Sequence, residues 1–168
     1  MTTSMNRHQQ LEQIINYHLS TGGKQLRAQL VLSQAEQVGL DSQKAKIWGS
    51  VCELLHNATL IHDDIQDNDP IRRGQASVWK KYGLAQAINA GDLLIFRAFT
   101  LAASLNNNQL ITTLAEISEK LVLGQSMELI PLSSELNETW SYYLRMAEHK
   151  TGALFLLPSM GVHILSGK

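Results

Sequence analysis

Four aspartates, Asp63, Asp64, Asp67 and Asp69, fall within seven consecutive positions, and Arg72 and Arg73 follow closely. Carboxylates this crowded repel one another unless a cation lies among them. On a helix, Asp63 and Asp67 are four residues apart and share a face, with Cβ atoms roughly 5–6 Å from each other. Asp64 lies on the flank of that face. With no cysteine and few histidines nearby, such a pair suits a hard, oxygen-seeking ion such as Mg²⁺. That ion takes one or two carboxylates and fills its remaining positions with water and phosphate oxygens. Arginine binds phosphate bidentately, so metal and guanidinium together suit a phosphorylated substrate. The competing reading of residues 60–75 is an acidic helix end followed by a solvated turn.

Two other metal chemistries fail on spacing. An EF-hand loop needs acidic groups at its first, third and fifth positions and Gly at the sixth; counted from Asp63, the third is Ile65 and the sixth Asn68. A di-iron bundle needs two Glu-x-x-His pairs, and Glu53-Leu54-Leu55-His56 is the only one in the sequence.

A second cationic group lies in "TGGKQLRAQL", residues 21–30. It reads as a helix start with Thr21 as a cap, where first-turn amides favour an anion. Lys24 and Arg27, three apart on a shared face, could grip a phosphate, although Gly-Gly-Lys is also a common loop-to-helix junction. The spacing is not that of a Walker loop. His56 stands seven residues before Asp63, about two helical turns away on nearly the same face. Its alternative role is that of a packed core histidine.

These groups have to be carried by helices. Apolar residues recur every three or four positions, while alternating β-branched runs and Asn-Gly turns do not appear. The pattern predicts helices over about 6–19, 25–38, 42–67, 84–104, 108–130 and 138–166. Breaks are expected at Thr21-Gly22-Gly23, 39–42, 68–76, 106–108 and 131–137, and a kink near Gly152 or Pro158. Helix 42–67 is apolar on most sides, which predicts a central position. The 168 residues suffice for one all-α domain with a substantial core. The chain is 44% hydrophobic, 17% charged and 6% aromatic, with a net charge of −1. That balance gives no general attraction to nucleic acid or anionic membrane. The single cysteine, Cys52, excludes an internal disulfide and fits a reducing compartment. No signal peptide or transmembrane segment is predicted, and the expected location is the cytoplasm.

Taken together, these residues resemble the trans-isoprenyl diphosphate synthases, the polyprenyl synthetase family. The matching segments run in the family's order: "GGKQLR" (22–27), "ELLHNATLIHDDIQD" (53–67), "RRG" (72–74), "AGD" (90–92), "GQSMEL" (124–129) and "HKTGALF" (149–155). The resemblance implies an isoprenoid synthase-type helical bundle around a central cavity, usually as a homodimer. It implies Mg²⁺-dependent condensation of isopentenyl diphosphate with an allylic diphosphate, releasing pyrophosphate. By that resemblance Asp63 and Asp67 are metal ligands, with Asp64 supporting. Lys24, Arg27, His56 and Arg73 match the isopentenyl diphosphate site. Arg72, Gln125, Lys150 and Thr151 match the allylic site. No side chain is nominated as the catalytic base, because the departing pyrophosphate takes that role in the family. Ala28 replaces a proline often found there, and Glu128 an aspartate.

Residues four and five before Asp63 are Thr59 and Ala58, and aromatic groups at these places stop chain growth early in the family. Their small size implies a product longer than about fifteen carbons, geranylgeranyl diphosphate foremost. One departure is larger. The family carries a second aspartate-rich motif on a later helix, yet no aspartate follows Asp92 here. The expectation is therefore a truncated or partial synthase lacking its C-terminal part. The alternatives are a non-catalytic diphosphate-binding partner subunit and a helical scaffold that binds divalent ions.

Overall fold

The structure, a computed structural model, describes residues 7–130 and 136–167, and side chains for 10–130 and 139–167. Part of the expected 131–137 break, residues 131–135, lies outside the described residues. The elements are α1 (Arg7–Ser20), α2 (Leu26–Val38), α3 (Ser42–Gln66), β1 (Ile71–Arg72), β2 (Gln75–Ala76), α4 (Val78–Tyr82), α5 (Leu84–Ala103), α6 (Asn108–Glu128), α7 (Leu136–Ala147), a π-helical turn (Glu148–Gly152) and α8 (Ala153–Ser166). The fold class is all-α, as the periodicity predicts. Helix ends follow local chemistry. Gly39, at φ +73°, closes α2 while the Leu40 amide donates to the Ala35 carbonyl, the arrangement a left-handed glycine permits. Asp41 Oδ1 accepts from the Lys44 amide at the start of α3, and Asn107 accepts from the amides of Gln109 and Leu110 at the start of α6.

Two compact units are formed, one by the described residues up to Gln25 together with Glu53–Ala98, the other by Leu26–Cys52 and the described residues from Phe99 onward. In the first unit, Ile14 and Ile15 of α1 pack with Ala58 and Ile61 of α3, Val78 of α4, and Ala87, Ala90 and Leu94 of α5. The buried positions on α3 and α5 recur every three or four residues, which places them on one stripe of each helix. Alanines at 58, 87 and 90 keep that stripe narrow.

The second unit is built around Trp48, which is fully buried. Its Nε1–H donates to the Pro158 carbonyl at 3.2 Å, and its ring fills the space beside Gly161. A Cβ at Gly161 would lie 1.9 Å from the ring, so the glycine is required by packing. Gln34 Nε2 donates to Ser159 Oγ at 2.9 Å and ties α2 to α8. Along α3 no residue from Val51 to Ile65 is exposed, as its apolar sequence implies.

Three features differ from the sequence expectations. Residues 71–76 form a two-stranded hairpin, with Ile71 opposite Ala76 and Arg72 opposite Gln75. Its turn is Arg73-Gly74, both left-handed at φ +50° and +80°. Such a turn ordinarily carries Asn-Gly, which is why the segment reads as a plain loop. The five-residue α4 is too short to show a helical period. The expected kink near Gly152 takes the form of the π-helical turn.

Replacing Gly161 with alanine forces Trp48 to move and should cost about 2–3 kcal/mol. The expected result is a melting temperature lower by roughly 5–10 °C, measured by circular dichroism against Gly152→Ala, where an added Cβ meets nothing closer than 3.9 Å.

Candidate functional site

The last turn of α3 separates the aspartates into two kinds. Asp64 points inward and is 1% exposed. Its Oδ1 accepts from Arg72 Nε at 2.8 Å and from Arg72 Nη2. Burial pushes the Asp64 carboxyl above the usual aspartate range, against the pull of Arg72. The bond to Asp64, in turn, raises the Arg72 guanidinium further and keeps it charged. Asp63 is half-buried and Asp67 exposed, and the Asp67 amide donates to the Asp63 carbonyl at 2.8 Å, so both sit on the same helical turn. Two carboxylates on one helical turn fit a hard divalent ion that keeps water or phosphate oxygens in its shell. Among the described residues no three His, Cys, Asp or Glu side chains gather as a closed metal centre.

Arg72 and Arg73 leave the hairpin differently. Arg72 turns back to Asp64, whereas the Arg73 guanidinium lies against Gly23: a Cβ there would be 2.9 Å from Arg73 Nη1. Arg73 is thereby brought to the loop that carries Lys24, which is exposed. Holding a non-glycine residue in the left-handed region costs about 1–2 kcal/mol. The expectation that Lys24 and Arg27 share a helix face is not met. Gln25, at φ +47°, interrupts the chain between them, α2 begins only at Leu26, and Lys24 stays in the loop. Thr21 closes α1, with its hydroxyl donating to the His18 carbonyl at 2.8 Å, and does not cap α2.

His56 is half-buried on α3. Beside it, Asn57 Oδ1 bonds His18 Nε2 at 3.2 Å. His18 is 2% exposed, and burial lowers its pKa to about 4, with Arg73 and Arg72 pushing the same way. Ala58 is fully buried in the core of the first unit, whereas Thr59 is partly exposed and donates to the His56 carbonyl. On the opposite flank of Asp63, His62 fits over Gly91, where a Cβ would lie 2.2 Å from its ring, and its Nε2 is 3.5 Å from Asp92 Oδ1.

The remaining candidates lie in the second unit. The Arg27 guanidinium stacks 5.3 Å over the Phe155 ring. Gln125 is buried on α6, and neither of its side-chain amide atoms has a hydrogen-bond partner among the described residues. Buried amides are seldom left so. Lys150 and Thr151 lie on the π-helical turn, and Lys150 pairs with Glu128. Gly124 lets α6 approach this turn, because a Cβ there would lie 2.6 Å from the Lys150 amide nitrogen. His18 lies outside every matching segment and carries no local signal, whereas Asn57, His62, Gly23 and Gly91 fall inside matching segments, where a role could have been sought.

Residues 8–168 match the family described as Polyprenyl synthetase. The geranylgeranyl diphosphate synthase of Methanosarcina mazei is 35% identical over 156 residues, covering 90% of this chain and 48% of that protein. The crystal structure of a geranyltranstransferase from Thermotoga maritima superposes with a TM-score of 0.87 at 34% identity, covering 94% of this chain and 60% of that one. A polyprenyl synthase from Caulobacter crescentus, solved with calcium and isoprenyl diphosphate, gives a TM-score of 0.87 at 30% identity, covering 94% and 48%. The fold is thus that of the isoprenoid synthases. The chain belongs to the polyprenyl synthetase family, and it spans about half the length of the curated relatives it matches.

The buried His18 gives the first unit a pH dependence with a definite sign. Its folded pKa lies below the ordinary 6.5, so the unfolded chain binds a proton more readily. The associated stability is complete above pH 6.5 and is lost as pH falls toward 4. His18→Gln removes this titration, so the wild-type advantage over the variant should shrink by roughly 2–3 kcal/mol between pH 7 and pH 4.5. Urea unfolding at both pH values measures the difference; a constant gap would refute the assignment.

Proposed function

We propose that this chain is the diphosphate-binding portion of a prenyltransferase that joins isopentenyl diphosphate to an allylic diphosphate, with Mg²⁺ as the metal. The observation that carries this reading is the sorting of charge at the end of α3. Asp64 is buried against Arg72, while Asp63 is half-buried and Asp67 exposed on the same helical turn. Asp63 and Asp67 would hold the metal of the allylic diphosphate. Magnesium there would supply charge neutralisation for the leaving pyrophosphate.

The chain's own residues bind and orient. Arg73, lying against Gly23 in the loop that carries Lys24, and His56 form the first unit's part of the isopentenyl diphosphate site together with Lys24; Arg27 is the second unit's candidate for that substrate by the family resemblance. Two substrates held at defined separation react without the entropy cost of a bimolecular encounter. Arg72, fixed by Asp64, would direct its remaining N–H groups to the allylic diphosphate. Gln125, Lys150 and Thr151 keep the allylic-side role that the family resemblance gives them, and the unsatisfied amide of Gln125 supports a ligand contact in the second unit. Gathered cations stabilise the charge that develops on the leaving oxygen. Half of the curated relatives' length is matched, and their names support a product of geranylgeranyl size or longer. A homodimer in the cytoplasm completes the proposal.

Calorimetry of the chain with isopentenyl diphosphate, and separately with an allylic diphosphate plus Mg²⁺, tests the reading. Asp63→Asn with Asp67→Asn should weaken metal-dependent allylic binding by roughly tenfold or more and leave isopentenyl diphosphate binding intact. Absence of any diphosphate binding by the wild type would refute the proposal. Incubation with both substrates and a radiolabel separates turnover from binding alone.

Thr59, partly exposed one turn before Asp63, is the better chain-length candidate. Ala58 is packed in the core, where a larger side chain would strain the helices. In a preparation that turns over, Thr59→Phe should shift the product to shorter chains, resolved by thin-layer chromatography.

A further inference from the structure

A hairpin with two residues in each strand does not hold itself together in water, and this one also carries Arg73 in a left-handed conformation. Its shape is therefore fixed from outside. Asp64 takes Arg72 in the middle of the hairpin. At the near end, Trp79 Nε1 donates to the Asp69 carbonyl at 2.8 Å, from a helix that follows directly. On the other strand of that same open end, where Ala76 stands opposite Ile71, the Tyr17 hydroxyl donates to the Ala76 carbonyl at 2.7 Å, from α1. The Tyr17 ring is itself located by an edge-on contact with Tyr82, 5.4 Å between centroids, and by the Lys81 ammonium 3.6 Å above it.

The same turn of α1 reaches two further parts of the site. His18, the next residue, bonds Asn57 beside His56, and the loop after α1 places Gly23 under the Arg73 guanidinium. One helical turn thus touches the hairpin, α3 and the Lys24 loop. We propose that Tyr17 is a positioning residue for Arg73: its hydroxyl pins the β2 end of the hairpin so that the guanidinium stays over Gly23, next to Lys24. This rests on the reading of Arg73 and Lys24 as diphosphate ligands. Tyr17 touches no substrate and acts through the hairpin backbone.

Tyr17→Phe removes the one hydrogen bond and keeps the ring contacts. Hydrogen–deuterium exchange of the segment 70–77 should quicken by roughly 3- to 10-fold, with exchange in α8 unchanged. Inorganic pyrophosphate affinity, measured by calorimetry, should fall by a similar factor, while the melting temperature moves by less than about 2 °C. Gly23→Ala acts on the guanidinium without touching the tether, and should lower pyrophosphate affinity with exchange at 70–77 left as it is. Unchanged exchange at 70–77 in Tyr17→Phe overturns the proposal, as does faster exchange with unaltered affinity. A rise in exchange throughout the chain assigns Tyr17 to general stability and also overturns it. Wild-type protein that fails to bind pyrophosphate refutes the diphosphate reading, whereas the exchange comparison still decides whether Tyr17 holds the hairpin.

Discussion

The bond between Asp64 and Arg72 is the constraint on which the first unit's charged end depends. A carboxylate that is 1% exposed is expensive unless it is paired. Arg72 supplies that pairing and, in doing so, fixes where the hairpin leaves the helix. Asp64 is turned inward, whereas Asp63 beside it is half-buried and Asp67, just past the last residue of α3, is exposed. Pairing with Arg72 takes one carboxylate out of the crowd. One ion pair therefore both relieves the acidic cluster and anchors the hairpin that carries Arg73.

Glycines perform the complementary task of admitting large groups. Gly161 admits an indole, Gly91 an imidazole, Gly23 a guanidinium, and Gly124 the backbone of the π-helical turn. In each case the missing Cβ determines which residue type can sit opposite. Three of these glycines lie in motifs that also carry charged residues. Such motifs combine ligands with the space that the ligands or their supports occupy.

Most helices were legible because their periodicity is set by burial, which the sequence records directly: the stripe through Ala45, Trp48, Cys52, Leu55, Ala58 and Ile61 is a helix whatever its surroundings. The breaks at Gly39, Asp41 and Asn107 were legible because capping is local. The hairpin was not, since its turn uses Arg where Asn is usual and its strands are too short to alternate. Lys24 was placed on a helix face by spacing alone, and a left-handed Gln25 undid that inference. The bracing contacts from Tyr17 and His18 join residues separated by 59 and 39 positions, and no local pattern carries such information.

The π-helical turn has a genetic consequence. A π-turn is an α-helix with one residue too many, so Glu148–Gly152 contains a built-in surplus position. Losing a single codon here would let the segment relax to regular α-helix. The wide turn already absorbs that position within a single turn, so α7 and α8 would keep their phase about the axis after the loss. Only the turn itself, with Lys150 and Thr151, would be redrawn against α6. In the regular helices on either side the same loss would rotate everything beyond it by roughly 100°, so this stretch tolerates a one-residue deletion better than its neighbours do.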